Sequence, residues 1–553
     1  MEARPWLKNY PPGVPANIDT GQYENLVQFF DESFTKYKNL PAFECMGTRI
    51  SYGQVDKYSR NFAAYLHSRG LNPGDKIALM MPNLLQYPVA IFGALRAGLI
   101  VVNTNPLYTP REMLFQFQDS EVRAVVILEN FASNLEKIIH QTRIQTVILT
   151  SVGEMHGQVK AGLINFAVRH IKRMVPKYNL ANTVTFRHAL KEGARFEIKS
   201  FHNCPEDVII HQYTGGTTGI SKGAMLTNQS VIANMLQIKA WMQQHLVEGK
   251  EVTLSPLPMY HIFAFTVNCL AMLLVGAHTV LVTNARDIPS VIKEFKRNKI
   301  TLMTGINTLF NALVNREEFK SCDFSGLKIT VGGGMAIQKA VADRWKEITG
   351  CVLTEGYGMT ESSPLLTVNP LDGTGKQGSI GMPVSSTDMM IVNDEGIPVA
   401  VGEPGEIIAK GPQIMKGYYN QPGETARTVV DGWLHTGDIG RMDEDGYFYI
   451  VDRKKDMILV SGFNVFPNEI EDVVMLHPDV LEVAAVGIPD EKSGEVVKIF
   501  VVPKKGSLSK SDLLKHCKEN LTGYKVPKEI EFRSELPKTN VGKILRRALR
   551  EGA

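Results

Sequence analysis

The chain lacks several features that would assign it to a simple class. Its six cysteines (Cys45, Cys204, Cys269, Cys322, Cys351 and Cys517) are scattered through 553 residues with no CxxC pair. That spacing encodes neither a zinc cluster nor a disulfide framework, and reads as reduced thiols in a cytoplasmic protein. There is no excess of one charge: 60 Lys and Arg against 57 Asp and Glu leave +3, so nothing points to nucleic acid as a partner. The opening "MEARPWLKNYPPGVPANID" is polar and proline-rich and lacks the apolar centre of a signal peptide. Internal repeats and low-complexity tracts are missing as well. One run, Ile262 to Val282, is long enough to be taken for a membrane span. Asn268, Gly276 and His278 interrupt it, and its β-rich end "AHTVLV" predicts a buried helix followed by a buried strand.

What is present is a globular chain, 44% hydrophobic and long enough for two to four domains. "KIALMM", "LLQYPVAIFGALRAG" and "LIVVNTNP" form a βαβ pattern, with Gly98 ending the helix. "AVVIL", "TVILT", "DVIIHQY", "TVLVT" and "LKITVGGG" extend it, which predicts α/β layers around mostly parallel sheets. After about Asn369 short strands and Gly/Pro turns predict a small β-rich subdomain, to about residue 452. Strand and helix then alternate again, as in "PNEIEDVVMLHP" and "VLEVAAVGIP". The predicted fold is α/β: an N-terminal domain over 1–452, a boundary at 453–456, and a small α+β domain over 457–553, and the resemblance given below implies that the boundary is a hinge and the small domain mobile.

Between Tyr213 and Asn228 lies "YTGGTTGISKGAMLTN". A Walker A loop needs Lys directly after its second Gly, with a helix starting there; here Ile220 and Ser221 separate Gly219 from Lys222, and a strand-like run follows. The helix is expected only after a cap at Thr227. The loop therefore joins two strands. Its glycines permit positive φ, and its Thr hydroxyls and backbone N–H groups suit a polyphosphate; an exposed polar hairpin is the other reading of the loop alone.

Four further segments follow in order: "EGYGMTESSP", "GWLHTGDIG", "DRKKDMILVSGFNVFPNEIE" and "LPKTNVGKILRR". With the loop, they resemble the adenylate-forming superfamily of acyl-CoA synthetases, luciferases and peptide-synthetase adenylation domains, from about residue 20 to the C-terminus. Among its members the chain is most similar to bacterial long-chain fatty acyl-CoA synthetases.

The resemblance implies that ATP converts a long-chain fatty acid to an acyl adenylate and that coenzyme A displaces AMP. Delivery to a carrier-protein thiol is the alternative, and oxygenation of the luciferase kind is not formally excluded. It further implies that Tyr213, Thr214, Gly215, Gly216, Thr217, Thr218, Gly219 and Lys222 hold the phosphates, Thr360 donates to the α-phosphate, and Glu361 binds Mg²⁺. Tyr357 would stack on adenine with Gly333 and Gly334 beside it, Asp438 would accept the ribose hydroxyls, and Arg453 would reach ribose or phosphate. His261, in "PMYHIFAF", would lie near the fatty carboxylate. Lys455 is the implied hinge pivot, and Lys543 the implied cation of the adenylation step. The neighbours Ile262, Phe263, Ala264 and Phe265 carry no acid to pair with an ammonium, which argues against an amino acid substrate.

"GLINFAVRHIKRMVPKY", Gly162 to Tyr178, mixes apolar residues with Arg169, Lys172, Arg173 and Lys177. Two readings stand: a helix lying peripherally on the inner, cytoplasmic face of the membrane, or one packed on its own domain with a solvated charged face. A homodimer is also left open.

Overall fold

The structure is a computed structural model that describes residues 4–214, 221–453, 456–461, 463–490, 493–504, 508–539 and 542–550. Two large sheets dominate it. In the first, of eight strands, the order is Gly417–Tyr418, Lys222–Thr227, Val208–Thr214, Ile100–Asn103, Lys76–Met80, Ala124–Leu128, Thr146–Thr150 and Thr183–Thr185. All pairings from Val208–Thr214 onward are parallel, whereas Lys222–Thr227 runs antiparallel to it. The second, of nine strands, places Leu353–Gly358, Ile329–Gly332, Leu302–Gly305, Val252–Ser255, His278–Leu281 and Pro41–Cys45 side by side and parallel.

Parallel strands buried on both faces explain why these segments read as unbroken apolar runs. Along Lys76–Met80, Ile77 and Leu79 enter the core between the two sheets while Ala78 and Met80 enter the layer outside the first. The helices Tyr52–Ser68, Gln86–Arg96 and Asn228–Met242 contribute to the central core. Every residue of Gln86–Arg96 is buried, which is why its sequence is apolar on all sides. Its last residue, Arg96, keeps its charge there by pairing with Asp31 at 2.5 Å and Asp56 at 2.6 Å, with its guanidinium 4.8 Å from the Phe30 ring centre.

The run from Ile262 is a short helix, Ile262–Ala264, continued by a buried π-helical stretch, Phe265–Ala271, before the strand His278–Leu281. Among the described residues no helix is long and apolar enough to cross a membrane. A third sheet joins Asp388–Val392, Gly405–Lys410, Val429–Val430, Trp433–Met442 and Phe448–Arg453. The strands Ile458–Val460, Phe463–Val465, Val480–Asp490, Gly494–Pro503 and Glu529–Phe532 form a separate sheet. With the helices Pro467–Met475 and Lys510–Asn520 they enclose a core of their own around Ile470, Val474, Val483, Ile499 and Leu513.

Candidate active site

The parallel strands of both sheets deliver the motif residues at their carboxyl ends, the place where open α/β sheets bind ligands. Val208–Thr214 ends at the segment rich in Gly and Thr, Ile329–Gly332 at Gly333 and Gly334, and Leu353–Gly358 at Thr360 and Glu361. His261 lies just beyond Val252–Ser255. Gly215, Gly216, Thr217, Thr218, Gly219 and Lys455 lie outside the described residues, and so does the side chain of Arg453.

Both flanks of the loop are fixed. Tyr213 is buried and its hydroxyl donates to Asp119, while the Ser221 hydroxyl donates to the Thr214 carbonyl. The helix that follows starts at a capping box of Thr227 and Ser230. Lys222 points its ammonium to Glu424 at 2.5 Å and lies 5.0 Å from the Tyr418 ring centre. Tyr418 in turn donates its hydroxyl to Glu361 at 2.6 Å. Glu361 is buried, and burial raises its carboxyl above the ordinary range, with Lys222 as a counteracting charge. Such a carboxylate is costly to keep ionised unless a cation joins it.

The Tyr357 hydroxyl donates to Asp438 at 2.6 Å. Asp438 stands on Trp433–Met442 opposite Arg453 on the neighbouring strand, so the third sheet brings both to the mouth of the second. The Nδ1 of His261 accepts from the Phe263 N–H at 3.4 Å, capping the short helix that follows. Burial, and next the charge of Lys543, push its pKa down to about 3, so at neutral pH the ring is an uncharged Nε2–H donor.

Lys543 comes from the C-terminal unit, yet it lies in this cleft. A methyl group on Gly334, where φ is +76°, would stand 3.2 Å from the Lys543 Cε, so this glycine serves both the turn and the approach of the lysine. Among the described residues, hydrogen bonds that seat the unit on the large domain include Thr308 to the Gly542 carbonyl at 3.2 Å, Arg286 to the Thr539 carbonyl at 3.1 Å, and Asn311 to the Leu481 carbonyl at 3.1 Å. Arg546, a neighbour of Lys543 in a cluster that sequence alone would leave solvated, instead bonds Glu471 at 2.8 Å and faces Asp452 and Asp456.

Several site residues escaped sequence reasoning because nothing local marks them. A buried polar chain holds the segment that carries His261: Asn83 donates to the Ser255 and Leu257 carbonyls and accepts from the Met259 N–H, Tyr87 donates to the Met259 carbonyl, and Gln212 to the Tyr260 carbonyl. Asn103 joins Tyr87 to Gln212. Polar residues inside otherwise apolar strands were the available signal. Glu355 is another: it keeps some exposed surface, accepts from the Ile337 N–H, and burial pushes its carboxyl up to about 8.

Against known proteins, a family model described as AMP-binding enzyme matches residues 30–419, and the model for the AMP-binding enzyme C-terminal domain matches residues 469–543. The chain belongs to the AMP-binding enzyme family. Within it, the chain is 54% identical to a long-chain-fatty-acid–CoA ligase of Salmonella typhimurium over 549 residues, covering 99% of this chain and 98% of the relative. It is 52% identical to the Haemophilus influenzae protein of that name, over 99% and 98% of the two chains. Among solved structures, the anthranilate CoA ligase AuaEII in complex with anthranoyl-AMP superimposes with a TM-score of 0.86 at 25% identity, covering 97% and 99% of the chains. ATP-bound MatB from Rhodopseudomonas palustris gives 0.82 at 26% identity, covering 96% and 99%.

A carboxyl raised by folding stabilises the protein at low pH, and that contribution is lost as pH rises from its ordinary 4.5 through about 8. Glu355→Gln keeps the acceptor without the charge. Thermal unfolding without nucleotide is therefore expected to show the variant gaining on wild type across that window, with a constant gap above it. Parallel pH profiles would show that Glu355 is not held protonated.

Proposed function

We propose that the chain is an ATP-dependent long-chain-fatty-acid–CoA ligase acting through an acyl adenylate. The supporting observation is the meeting of Lys543, His261 and Gly334 at the sheet ends that also carry Thr360 and Glu361. A fatty carboxylate attacks the α-phosphorus of ATP and diphosphate leaves; the coenzyme A thiolate then attacks the acyl carbonyl carbon and AMP leaves. No protein nucleophile is needed. What the first step requires is charge compensation, because two anions approach and negative charge grows between them.

In this reading the loop and Lys222 hold the outer phosphates, with Lys222 exchanging Glu424 for phosphate oxygens. Thr360 donates to the α-phosphate. Tyr357 and Asp438, already hydrogen-bonded to each other, take the adenine face and the ribose hydroxyls, with Arg453 next to them. Neutral His261 donates from Nε2 to an acyl oxygen. Ile262 and Phe265 are buried and Phe263 lies against Gly333, so the wall beyond the carboxylate is apolar. An alkyl tail gains about 0.8 kcal/mol per buried CH₂ from such a wall.

Mg²⁺ fits the site, because Glu361 is a buried carboxylate short of positive charge, and Mg²⁺ is commonly held by one or two carboxylates together with phosphate oxygens and water. When bound, it would neutralise the developing phosphate charge.

Lys543 is the residue assigned to the transition state, bridging the fatty carboxylate and the α-phosphate. Lys543→Ala is expected to slow acyl-AMP formation by about 10²- to 10³-fold, as loss of one oxyanion donor does. Conversion of supplied acyl-AMP and coenzyme A to thioester should stay near wild type, since that step follows removal of the lysine by domain rotation. Pyrophosphate release and thioester formation, measured separately, decide it; equal losses in both would contradict the assignment.

Lys455 is the proposed pivot. Proline there fixes φ and removes an N–H. Lys455→Pro is expected to retain most adenylate formation and lose most thioester formation in the same two assays, and equal losses would remove the pivot role.

A further inference from the structure

The segment after Gly157 is built with its polarity reversed. It forms the helix Gln158–Phe166, continued by a π-helical turn, Ala167–Ile171. Three of its polar side chains tie it to the protein. Lys160 donates to the Met46 carbonyl and to Thr48, Asn165 is hydrogen-bonded to Gly153 and Ser151, and Arg169 pairs with the buried Glu129 at 2.6 Å. Its apolar side chains face away: Val159 is 79% exposed, Leu163 67%, Phe166 58%, Ile171 70% and Met174 54%. Five of the sixteen large apolar side chains exposed among the described residues thus fall between 159 and 174. A soluble surface helix has the opposite arrangement, so the reading of a solvated charged face packed on its own domain does not hold.

Charge narrows the choice of partner. Lys172, Arg173 and Lys177 are exposed at the end of the apolar face, and no Asp or Glu occurs between Glu154 and Glu192. Across a twofold contact between two copies, the facing segment would offer these cations no carboxylate. An apolar face flanked by cations matches a bilayer surface instead: apolar side chains enter the headgroup boundary while cations meet anionic headgroups.

We propose that residues 158–177 seat the protein on an anionic phospholipid surface, with Leu163, Phe166, Ile171 and Met174 entering the interface and Lys172, Arg173 and Lys177 reading its charge. The site is separate from the ATP chemistry. It also serves that chemistry, because the long-chain fatty acid of the proposed reaction partitions into the same interface.

The test is sedimentation of the full-length protein with vesicles of phosphatidylcholine alone and with equal parts of phosphatidylcholine and phosphatidylglycerol. Wild type is expected to pellet with the mixed vesicles and to remain largely in solution with phosphatidylcholine. Leu163→Glu/Phe166→Glu and, separately, Lys172→Glu/Arg173→Glu/Lys177→Glu should each lower partitioning by at least about tenfold. Activity of both variants on octanoate, supplied in solution, should equal wild type, which separates loss of seating from loss of the enzyme. If the glutamate pair fails to fold, the charge-reversal variant decides alone. Wild type that stays in the supernatant, or variants that pellet like wild type, would overturn the proposal. So would a lipid-free dimer that Leu163→Glu/Phe166→Glu converts to monomer, since the face would then belong to a second copy.

Discussion

A fatty carboxylate and the α-phosphate of ATP repel each other, and the arrangement of the site follows from the need to bring them together in a confined space. Two parallel sheets aim their carboxyl ends at one cleft and supply glycines, hydroxyls and backbone there. Of the described basic residues at the cleft, Lys222 is engaged by Glu424, and His261 is neutral. The lysine that sits against Gly334 comes from the other end of the chain. A cation on a separate unit can be present for one step and absent for the next. Under the proposed chemistry this separation is functional, because the lysine serves the first step and is withdrawn before the second.

Much of this was legible in the sequence, for a physical reason. Buried parallel strands must be continuously apolar, so "KIALMM", "AVVIL" and "DVIIHQY" declared themselves, and the capping box at Thr227 marked the helix after the loop. The run from Ile262 resolved as helix then strand for the same reason, since Asn268 and His278 find buried places in a protein core. The motif residues Tyr357, Glu361 and Asp438 were visible because their chemistry is concentrated in short stretches.

What escaped was everything that depends on partners far along the chain. Gln212 looks like an incidental polar residue in a strand until its amide is seen holding the Tyr260 carbonyl. Tyr418 and Glu424 acquire meaning only opposite Glu361 and Lys222. Arg546 is one of several cations in "GKILRR", and only the fold shows it drawn into acidic groups on both sides of the expected hinge. The helix from Gln158 shows the same limit differently: periodicity placed its apolar residues on one face, but which way that face pointed depended on Glu129, Ser151 and Thr48, all distant in sequence.

In the adenylate route an oxygen of the fatty acid bonds to the α-phosphorus and stays there when the thiolate attacks. Fatty acid carrying heavy oxygen in its carboxylate tests this directly, with the AMP produced in one turnover analysed by mass. One heavy oxygen is expected in the AMP phosphate and none in diphosphate. Unlabelled AMP, or label in diphosphate or inorganic phosphate, would contradict it.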